Sequence, residues 1–383
     1  MRIDAVHVYH VSLPFKADFA IANRQSNASD IVVVEVVTGR KGLKGFGEGL
    51  PIKAVTGETA ESVMVRIGTL CQSPAFPWQV DDLLQIWRFV DQLPQDKFDN
   101  TAVCALEMAL LDAWGKEVNK SLVDLLPQDF RAQRIYYGAP ITLGAKQNKR
   151  AVCHAIRAMG ILHVRAKMSP SYDHNKDTFE VVSEILDDRC VLGIDPNGAW
   201  NRELAVRHLP LIRKHHVRVV EEPFTDKDEG FKPYAHQLRA AGISLMACES
   251  VPTLAEIKPI IADNCYDRVN VKLCRSGGFR RALKMIAYLR ANGLSFQLGC
   301  STGESGILSA AGRALGLVNR DAITYDGSYD AFLLQTNTTS SDVTFGPGGE
   351  AGPLPEPGLG VVIDQKRLER LARQRHVLFT RRV

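Results

Sequence analysis

The chain has 383 residues, of which 45% are hydrophobic and 23% are charged, and its formal net charge at pH 7 is +4. So small a charge gives no reason to expect binding to nucleic acid or to an anionic membrane surface. The length suits a barrel of about 250 residues together with a second domain.

Neither the N-terminal residues nor the cysteines indicate export or a zinc knuckle. Residues 1–8 carry charged and polar side chains where a signal peptide needs an unbroken apolar segment, and the sequence has no run of 18 apolar residues. The eight cysteines form no C-x-x-C pair, and most are interpreted as small buried residues. We therefore expect a cytoplasmic protein that binds neither nucleic acid nor membrane.

The chain opens with a predicted antiparallel meander. Residues 1–13 and 31–38 are rich in β-branched side chains, and the second run leads through a turn to Gly45-Phe-Gly-Glu-Gly49. Between the two runs, residues 15–27 show no steady period, which predicts a loop. Helical spacing of apolar residues then predicts helices at residues 58–71, 81–93 and 100–118.

From residue 135 onward, short apolar runs alternate with helical segments about every 25 residues, a spacing typical of strand and helix units in a parallel sheet. Eight strands are predicted, and they include Ile135, His163, Val191, Val217, Ser244, Val269, Ser295 and Ile323. The helices between them are predicted at residues 146–159, 177–186, 202–215, 254–262, 279–291 and 305–317. Eight such units predict a closed (β/α) barrel, whose chemistry lies at the carboxyl ends of the strands.

The domain boundaries follow from this alternation. We place an N-terminal α+β domain at residues 1–133 and the barrel at residues 134–335. A C-terminal segment of about residues 340–383 is expected to join the N-terminal domain, to which the apolar run at residues 358–364 returns as a strand. The basic residues 366–382 are interpreted as the solvated face of a terminal helix, with a basic docking patch as the alternative.

Two carboxylates end neighbouring predicted strands. Asp195 and Glu221 offer hard oxygen ligands, the usual protein contribution to a Mg²⁺ site that leaves room for substrate oxygens. Carboxylates at strand ends also serve as helix caps or ion-pair partners, and the residues alone leave these alternatives open.

Two lysines stand inside apolar strand runs, Lys167 on the second and Lys272 on the sixth predicted strand, on opposite sides of the barrel. Lysine normally lies at the surface. Desolvation beside a metal lowers the pKa of a lysine towards that of a useful base, so the pair favours acid/base chemistry. A pair of structural salt bridges is the alternative.

The ordered set of motifs around these residues is similar to that of a known family. The motifs are Arg165-x-Lys167, Asp195-x-Asn197, Glu221-Glu-Pro223, Cys248-Glu-Ser250, Val271-Lys272 with Gly277-Gly278, and Gly299-Cys-Ser-x-Gly-Glu-Ser305. Together they resemble the enolase superfamily, in its muconate-lactonizing subgroup, which is like mandelate racemase and muconate cycloisomerase. The likeness extends over nearly the whole chain, because residues 45–48, 56–59 and 105–115 also match the pattern.

The resemblance implies an α+β capping domain over a modified (β/α) TIM-type barrel, and an enzyme that removes the proton α to a carboxylate to give an enediolate. It implies Mg²⁺, with Mn²⁺ and Zn²⁺ as alternatives, held by Asp195 and Glu221. Lys167 and Lys272 would be the acid/base pair. The implied substrate-binding residues are Arg165, which would neutralise the substrate carboxylate, Asn197, Ser301, Glu304 and Asp326.

Two positions depart from the family pattern. The eighth strand has Thr324-Tyr-Asp326 where dipeptide epimerases have two aspartates, so half of an ammonium clamp is missing. Cys248 stands where the third metal ligand is expected. Three alternatives remain: Cys248 takes no part in the site, Glu249 replaces it, or the thiolate selects a softer ion such as Zn²⁺.

The sequence therefore favours a racemase or epimerase, or a cycloisomerase, acting on a small carboxylate. β-Elimination on the same scaffold and a metal-poor, non-catalytic carboxylate-binding paralogue are the alternatives. Substrate selection is expected to involve the capping loops, with Phe19, Ile21 and Arg24 as candidates. Relatives are commonly oligomers, so a homo-oligomer is expected.

Overall fold

The computed structural model describes residues 1–21, 24–186 and 188–380, and the side chains of residues 18–25 and 377–380 lie outside the description. The first third contains β1 (Ile3–Ile21), β2 (Arg24–Thr38), β3 (Lys44–Gly49), α1 (Lys53–Thr56), α2 (Ala60–Gln72), α3 (Leu83–Gln92), α4 (Asn100–Glu117) and α5 (Leu122–Leu125). The middle contains β4 (Ile135–Tyr136), β5 (Ala139–Ile141), α6 (Lys146–Met159), β6 (His163–Lys167), α7 (Tyr172–Ile185), β7 (Val191–Asp195), α8 (Arg202–Lys214), β8 (Val219–Glu221), α9 (Phe231–Ala240), β9 (Ser244–Ala247), α10 (Leu254–Asp263), β10 (Arg268–Lys272), α11 (Phe279–Ala291), β11 (Ser295–Gly299) and α12 (Gly306–Leu317). The last part contains α13 (Asp330–Leu333), β12 (Glu350–Ala351), α14 (Gln365–Leu371) and β13 (Ala372–Thr380).

The capping sheet has the strand order β13, β1, β2, β3, and all its neighbouring strands are antiparallel. The predicted meander is thus confirmed. Helix α4 is buried along nearly its whole length and packs on β3. The contact is close because β3 carries glycines: a Cβ at Gly47 would lie 2.0 Å from the carbonyl oxygen of Ala105 in α4.

Two predictions about this sheet are wrong. Residues 15–21 and 24–27 are not a loop, because they belong to β1 and β2, in which Phe19 pairs with Ser26. Of the described part of the tail, residues 366–380, only the part in α14 is helical, and β13 then pairs with β1. Both segments are held by backbone hydrogen bonds to a neighbouring strand. Such hydrogen bonds leave little periodic pattern in the amino-acid sequence of either strand. The candidate side chains of Phe19, Ile21 and Arg24 lie outside the description.

The apolar run at residues 358–364 does not form the strand that was predicted. It contacts the first third of the chain through its backbone, where Gly358 N donates to Lys120 O at 2.9 Å and Leu359 N donates to Asp112 Oδ1 at 2.8 Å. The segment therefore meets α4 and the turn after it, and does not extend the capping sheet.

The barrel sheet is parallel and confirms the predicted fold class, a modified TIM barrel with a capping domain. Over the described residues it has seven strands, in the order β11, β10, β9, β8, β7, β6, β5. The predicted eighth strand is wrong, since Tyr325 makes only isolated bridges to Tyr137 and Leu298. The predicted first strand divides in two, because β4 pairs with β12 and only β5 joins the barrel.

The register of the parallel strands brings their carboxyl ends to one edge. Lys167, the last residue of β6, pairs with Asp195, the last residue of β7. The helices predicted between the strands are all present, and α9 is an additional helix that was not predicted. Among the described helices, none is both long enough and apolar enough to cross a membrane.

Candidate active site

A cavity of about 920 Å³, its open mouth included, lies at the carboxyl ends of the barrel strands. We call it the pocket. Its barrel side is lined by Arg165, Lys167, Asn197, Glu249, Lys272, Arg275, Cys300, Ser301 and Thr302. Its other sides are lined by Leu50, Ile52, Val55 and Thr56 near α1 of the capping region, by Pro140 and Thr142, and by Tyr329 and Leu333.

Lys167 is buried and paired with Asp195. Its Nζ donates to Asp195 Oδ2 at 2.5 Å and to Asn197 Oδ1 at 3.1 Å. Burial raises the pKa of Asp195 to about 6, an effect to which Glu221 adds and which Lys167 opposes. The lysine thus meets one of the two carboxylates predicted at neighbouring strand ends.

Arg165 pairs with two carboxylates at once. Its Nη1 lies 3.0 Å from Glu221 Oε2 and 2.8 Å from Asp326 Oδ2. Burial acts to raise the pKa of Glu221, but Arg165 and the nearby lysines hold it below its usual range. Asp326 Oδ2 also accepts from Gln297 Nε2 at 2.7 Å. The guanidinium charge is therefore already compensated by the chain itself.

Lys272, the last residue of β10, lines the pocket on the side away from Lys167. Desolvation acts to lower its pKa, yet the pKa is raised above its usual range. Cys248, Glu249 and Glu221 are the neighbours that raise the pKa of Lys272, and Arg275 opposes them. The described structure gives Lys272 no ion pair with a carboxylate.

Cys248 and Glu249 face different surroundings. Cys248 Sγ is buried and accepts from Arg275 Nη1 at 3.1 Å, and the residue does not line the pocket. Glu249 lines the pocket, and its Oε1 accepts from Asn197 Nδ2 at 3.3 Å. Its Oε2 is buried without a hydrogen-bond partner. Strand β9 ends at Ala247, so strand alternation no longer governs where Glu249 points.

The donor set fits a hard divalent cation. Asp195, Glu221 and Glu249 follow or end three consecutive strands, β7, β8 and β9, and influence one another's pKa values. Within residues 1–21, 24–186 and 188–380, no three or more His, Cys, Asp or Glu side chains already surround a metal position. The unpartnered Oε2 of Glu249 and the purely oxygen character of the three side chains nevertheless suit Mg²⁺. Cys248 Sγ accepts from Arg275 Nη1 and does not line the pocket.

Two further candidates lie beside the pocket. Ser301 lines it, and Ser301 N donates to Glu304 Oε1 at 2.6 Å. Glu304 is buried behind the pocket wall, and burial raises its pKa to about 8. Glu304 therefore holds the loop that carries Ser301 and does not itself line the pocket.

Sequence reasoning missed Arg275 and Tyr329. Arg275 follows Lys272 by three residues and is buried in the turn before α11. The signal available in the sequence was a charged residue close to the Gly277-Gly278 pair. Tyr329 donates to Gly138 O at 2.7 Å and lines the pocket. A tyrosine in a polar, Gly-rich stretch carries no comparable signal.

Comparisons with known proteins agree with this architecture. Residues 3–127 match the family model "Mandelate racemase / muconate lactonizing enzyme, N-terminal domain", and residues 148–367 match "Enolase C-terminal domain-like". The hydrophobic dipeptide epimerase of Enterococcus faecalis is 27% identical over 94% of this chain and 98% of its own length. The N-succinyl-L-Arg/Lys racemase of Bacillus cereus is 24% identical over 97% of this chain and 98% of its own length.

A similar fold has been solved for a dipeptide epimerase of Enterococcus faecalis, complexed with Mg and the dipeptide L-Leu-L-Tyr. It superposes with a TM-score of 0.84 and 22% identity, over 94% of this chain and all of that one. At this identity the likeness concerns the fold.

Proposed function

The chain belongs to the mandelate racemase and muconate lactonizing enzyme family of the enolase superfamily, and from this membership and its pocket we propose that it is an isomerase that removes the proton α to a carboxylate. Racemisation or epimerisation is the proposed outcome, with cycloisomerisation and β-elimination as variants that begin with the same proton transfer.

The observation that carries the proposal is a pair of lysines that line one pocket from separated strands. Lys167 ends β6 and Lys272 ends β10, and the sheet order puts β7, β8 and β9 between them. An amine on each side of a bound substrate can remove a proton from one face of the α-carbon and return one to the other face. This arrangement supports a mechanism with two bases.

Mg²⁺ is the proposed cofactor, and Asp195, Glu221 and Glu249 are the residues proposed to hold it. When bound, the ion would supply positive charge to stabilise the negative charge that develops on the substrate carboxylate. Asn197 bridges Asp195 and Glu249, with its Nδ2 at 3.2 Å from Asp195 Oδ2 and 3.3 Å from Glu249 Oε1. Asn197 is therefore proposed to orient two of the three ligands.

Arg165, Ser301 and Asp326 are proposed to position the substrate. Arg165 remains charged at any working pH, and its pairing with Glu221 and Asp326 holds the guanidinium at the pocket wall. It is proposed to contact the reacting carboxylate, while Asp326 fixes it from behind. Ser301, on the pocket wall, offers a hydroxyl to a polar group of the substrate.

The test is exchange of the α-proton with solvent deuterium, followed by NMR in the presence of Mg²⁺. Each enantiomer of a panel of N-acyl amino acids and dipeptides is incubated with the protein. We expect exchange and the appearance of the other stereoisomer for at least one member. Loss of a β-substituent or ring closure in place of stereoinversion would identify elimination or cycloisomerisation.

A second candidate is a carboxylate-binding protein without turnover. It is favoured by the pairing of Asp195 with Lys167 and of Glu221 with Arg165, since the chain's own cations already neutralise both carboxylates. Ligand binding that is independent of Mg²⁺, no bound metal by elemental measurement and no proton exchange would together favour this candidate over the isomerase.

A further inference from the structure

A second cavity opens at the end of the barrel opposite to the pocket. It measures about 430 Å³, its mouth included, and we call it the amino-terminal cavity. The first residues of three strands line it: His163 of β6, Val191 of β7 and Arg268 of β10. The interior of a TIM-type barrel is normally filled by layers of packed side chains, so a polar opening at this end requires an explanation.

Gly193 provides part of the room in this cavity. It lies in β7 and lines the cavity, and its φ is not in the left-handed region. A Cβ at this position would meet Val219 Cβ at 3.6 Å, which is an ordinary contact. The backbone therefore does not require glycine here, and the missing side chain leaves space inside the barrel.

Arg268 brings a positive charge without a counterion to this space. Its side chain is only partly exposed, and within residues 1–21, 24–186 and 188–380 it has neither a hydrogen bond nor an ion pair. The neighbouring Asp267 is bound elsewhere, to Arg239 Nη2 at 2.8 Å and to Leu245 N at 2.9 Å. Burial lowers the pKa of Arg268, but a guanidinium stays charged at any working pH. A partly buried charge of this kind is costly unless an anion neutralises it.

His163 faces the same space from another side of the barrel. Its Nδ1 is buried without a hydrogen-bond partner. Although β7, β8 and β9 separate β6 from β10 in the sheet, the charge of Arg268 acts with burial to lower the pKa of His163, which Asp326 opposes. Two groups that repel each other when both are charged thus share one cavity, and an anion between them would attract both.

The carboxylate of Asp326 also lines the cavity, but it is already engaged. Its Oδ2 lies 2.8 Å from Arg165 Nη1 and accepts from Gln297 Nε2 at 2.7 Å. Its negative charge is therefore compensated on the side of the cavity that is nearer to the pocket. The charge that remains at the mouth is that of Arg268, so the cavity favours a negatively charged ligand.

We propose that the amino-terminal cavity binds a small oxyanion, which Arg268 and His163 hold as hydrogen-bond donors. A guanidinium offers paired N–H groups to two oxygens of phosphate or of a carboxylate, and the two anions share this chemistry. Since the cavity lies away from the carboxyl ends of the strands, its ligand is not the molecule that reacts. The proposal does not depend on the proposed function.

The experiment measures the binding of two probes, inorganic phosphate and acetate, by calorimetry. The titrations contain EDTA in place of Mg²⁺, and potassium chloride keeps the ionic strength constant so that general screening does not contribute. The wild type is expected to bind at least one probe saturably, with a dissociation constant of about 1 mM or lower. Binding of phosphate alone would identify a tetrahedral ligand and binding of acetate alone a carboxylate, and either result supports the site.

Variants then assign the binding to this cavity. Arg268→Gln should weaken it at least about tenfold, as expected for the loss of a charge-assisted hydrogen bond, and His163→Phe should also weaken it. Gly193→Val should weaken it by filling the cavity while both donors stay in place. Arg218→Gln is the matched control, because Arg218 lies at the same end of the barrel but is exposed and does not line the cavity. This control should bind as the wild type does.

Three results would overturn the proposal: no saturable binding of either anion in the wild type, unchanged binding in Arg268→Gln or His163→Phe, or equal losses in Arg268→Gln and Arg218→Gln. Unchanged binding in Arg268→Gln together with a loss in Lys272→Ala would assign the anion to the pocket instead. If Arg268→Gln does not fold, the wild-type titration and Gly193→Val decide the matter, since full binding with the cavity filled would equally contradict the site.

Discussion

At the scale of single residues, the two residues that follow the end of β9 differ in their surroundings. Glu249 lines the pocket, whereas Cys248 does not. The motif pattern aligned Cys248 with a metal ligand, and strand alternation argued that Glu249 would point the other way. Because β9 ends at Ala247, both side chains follow turn geometry, and Glu249 reaches the pocket. The sequence could predict the set of three alternatives, and the position of the strand end explains why Glu249, and not Cys248, lines the pocket.

Glu249→Gln should weaken Mg²⁺ binding by at least about tenfold, because it removes one of three charges from the proposed oxygen site. Cys248→Ser should leave the affinity unchanged, since the thiol contacts Arg275 and does not line the pocket. Calorimetric titration with Mg²⁺ and Mn²⁺ measures both. A loss of affinity in Cys248→Ser with none in Glu249→Gln would exchange the two roles.

Lys167→Ala and Lys272→Ala should each abolish stereoinversion, because a proton must leave one face of the α-carbon and return to the other. Each variant should still exchange the α-proton of one enantiomer with deuterium, through the remaining lysine. NMR of each enantiomer in deuterium oxide detects this, and the two variants should act on opposite enantiomers. Full activity in either variant would show that the replaced lysine is not an acid or base of the reaction, and it would favour a structural salt bridge as its role.

At the scale of elements, segments with a strong local pattern were predictable. Helix α11 is found at the predicted residues 279–291, and α6 at residues 146–159, because apolar spacing and a following glycine or asparagine define both. The continuation of β1 and β2 beyond residue 15 was not predictable in this way. Its backbone hydrogen bonds depend on the partner strand, and its polar residues carry no alternating pattern.

The turn after β10 also depends on a partner distant in sequence. Gly278 has φ +96°, and a Cβ there would lie 2.0 Å from Glu107 Oε2 in α4. Gly278→Ala should therefore lower the free energy of unfolding by about 1–3 kcal/mol. Urea denaturation measures the loss.

Gly312→Ala is the matched control for that substitution. Gly312 lies within α12, and a Cβ there would meet no atom within 4 Å apart from its chain neighbours and the nearby backbone of its own helix. Since alanine favours a helix more than glycine, this variant should gain up to about 1 kcal/mol. Equal losses at the two glycines would contradict the argument from close approach.

At the scale of the whole molecule, buried carboxylates join the capping elements to the barrel helices. Glu48 of β3 accepts from Ser305 N and Leu308 N at the start of α12. Glu107 of α4 accepts from Arg280 N at the start of α11. Burial raises the pKa of Glu48 to about 7 and that of Glu107 to about 8. The folded protein therefore holds these protons more tightly than the unfolded chain does.

This difference predicts the pH dependence of stability. A carboxyl group whose pKa is higher in the folded protein than in the unfolded chain contributes to the free energy of unfolding. This contribution is fully present below the pKa of the unfolded chain, and it is lost as the pH rises through the pKa of the folded protein. The free energy of unfolding should therefore fall between about pH 5 and pH 8. Glu107→Gln should reduce that fall by an amount on the order of a few kcal/mol.

Urea denaturation at a series of pH values measures the effect of Glu107→Gln. Glu229→Gln, whose side chain is 86% exposed, is the control and should follow the wild type. A wild-type stability that rises over this interval, or a Glu107→Gln profile identical to it, would contradict the assignment.

The pairing of β13 with β1 has a consequence for how the protein is made on the ribosome. Ala5 pairs with Thr380, so the edge of β1 that faces β13 has no partner until residue 380 has been translated. Until then, β1 presents unpaired backbone N–H and C=O groups at the edge of an incomplete sheet, the kind of edge that recruits strands from other chains. Completion of the capping sheet therefore follows translation of all the barrel strands, although β1, β2 and β3 precede those strands in the chain. A nascent chain stalled before Ala372 should depend on chaperones to avoid aggregation.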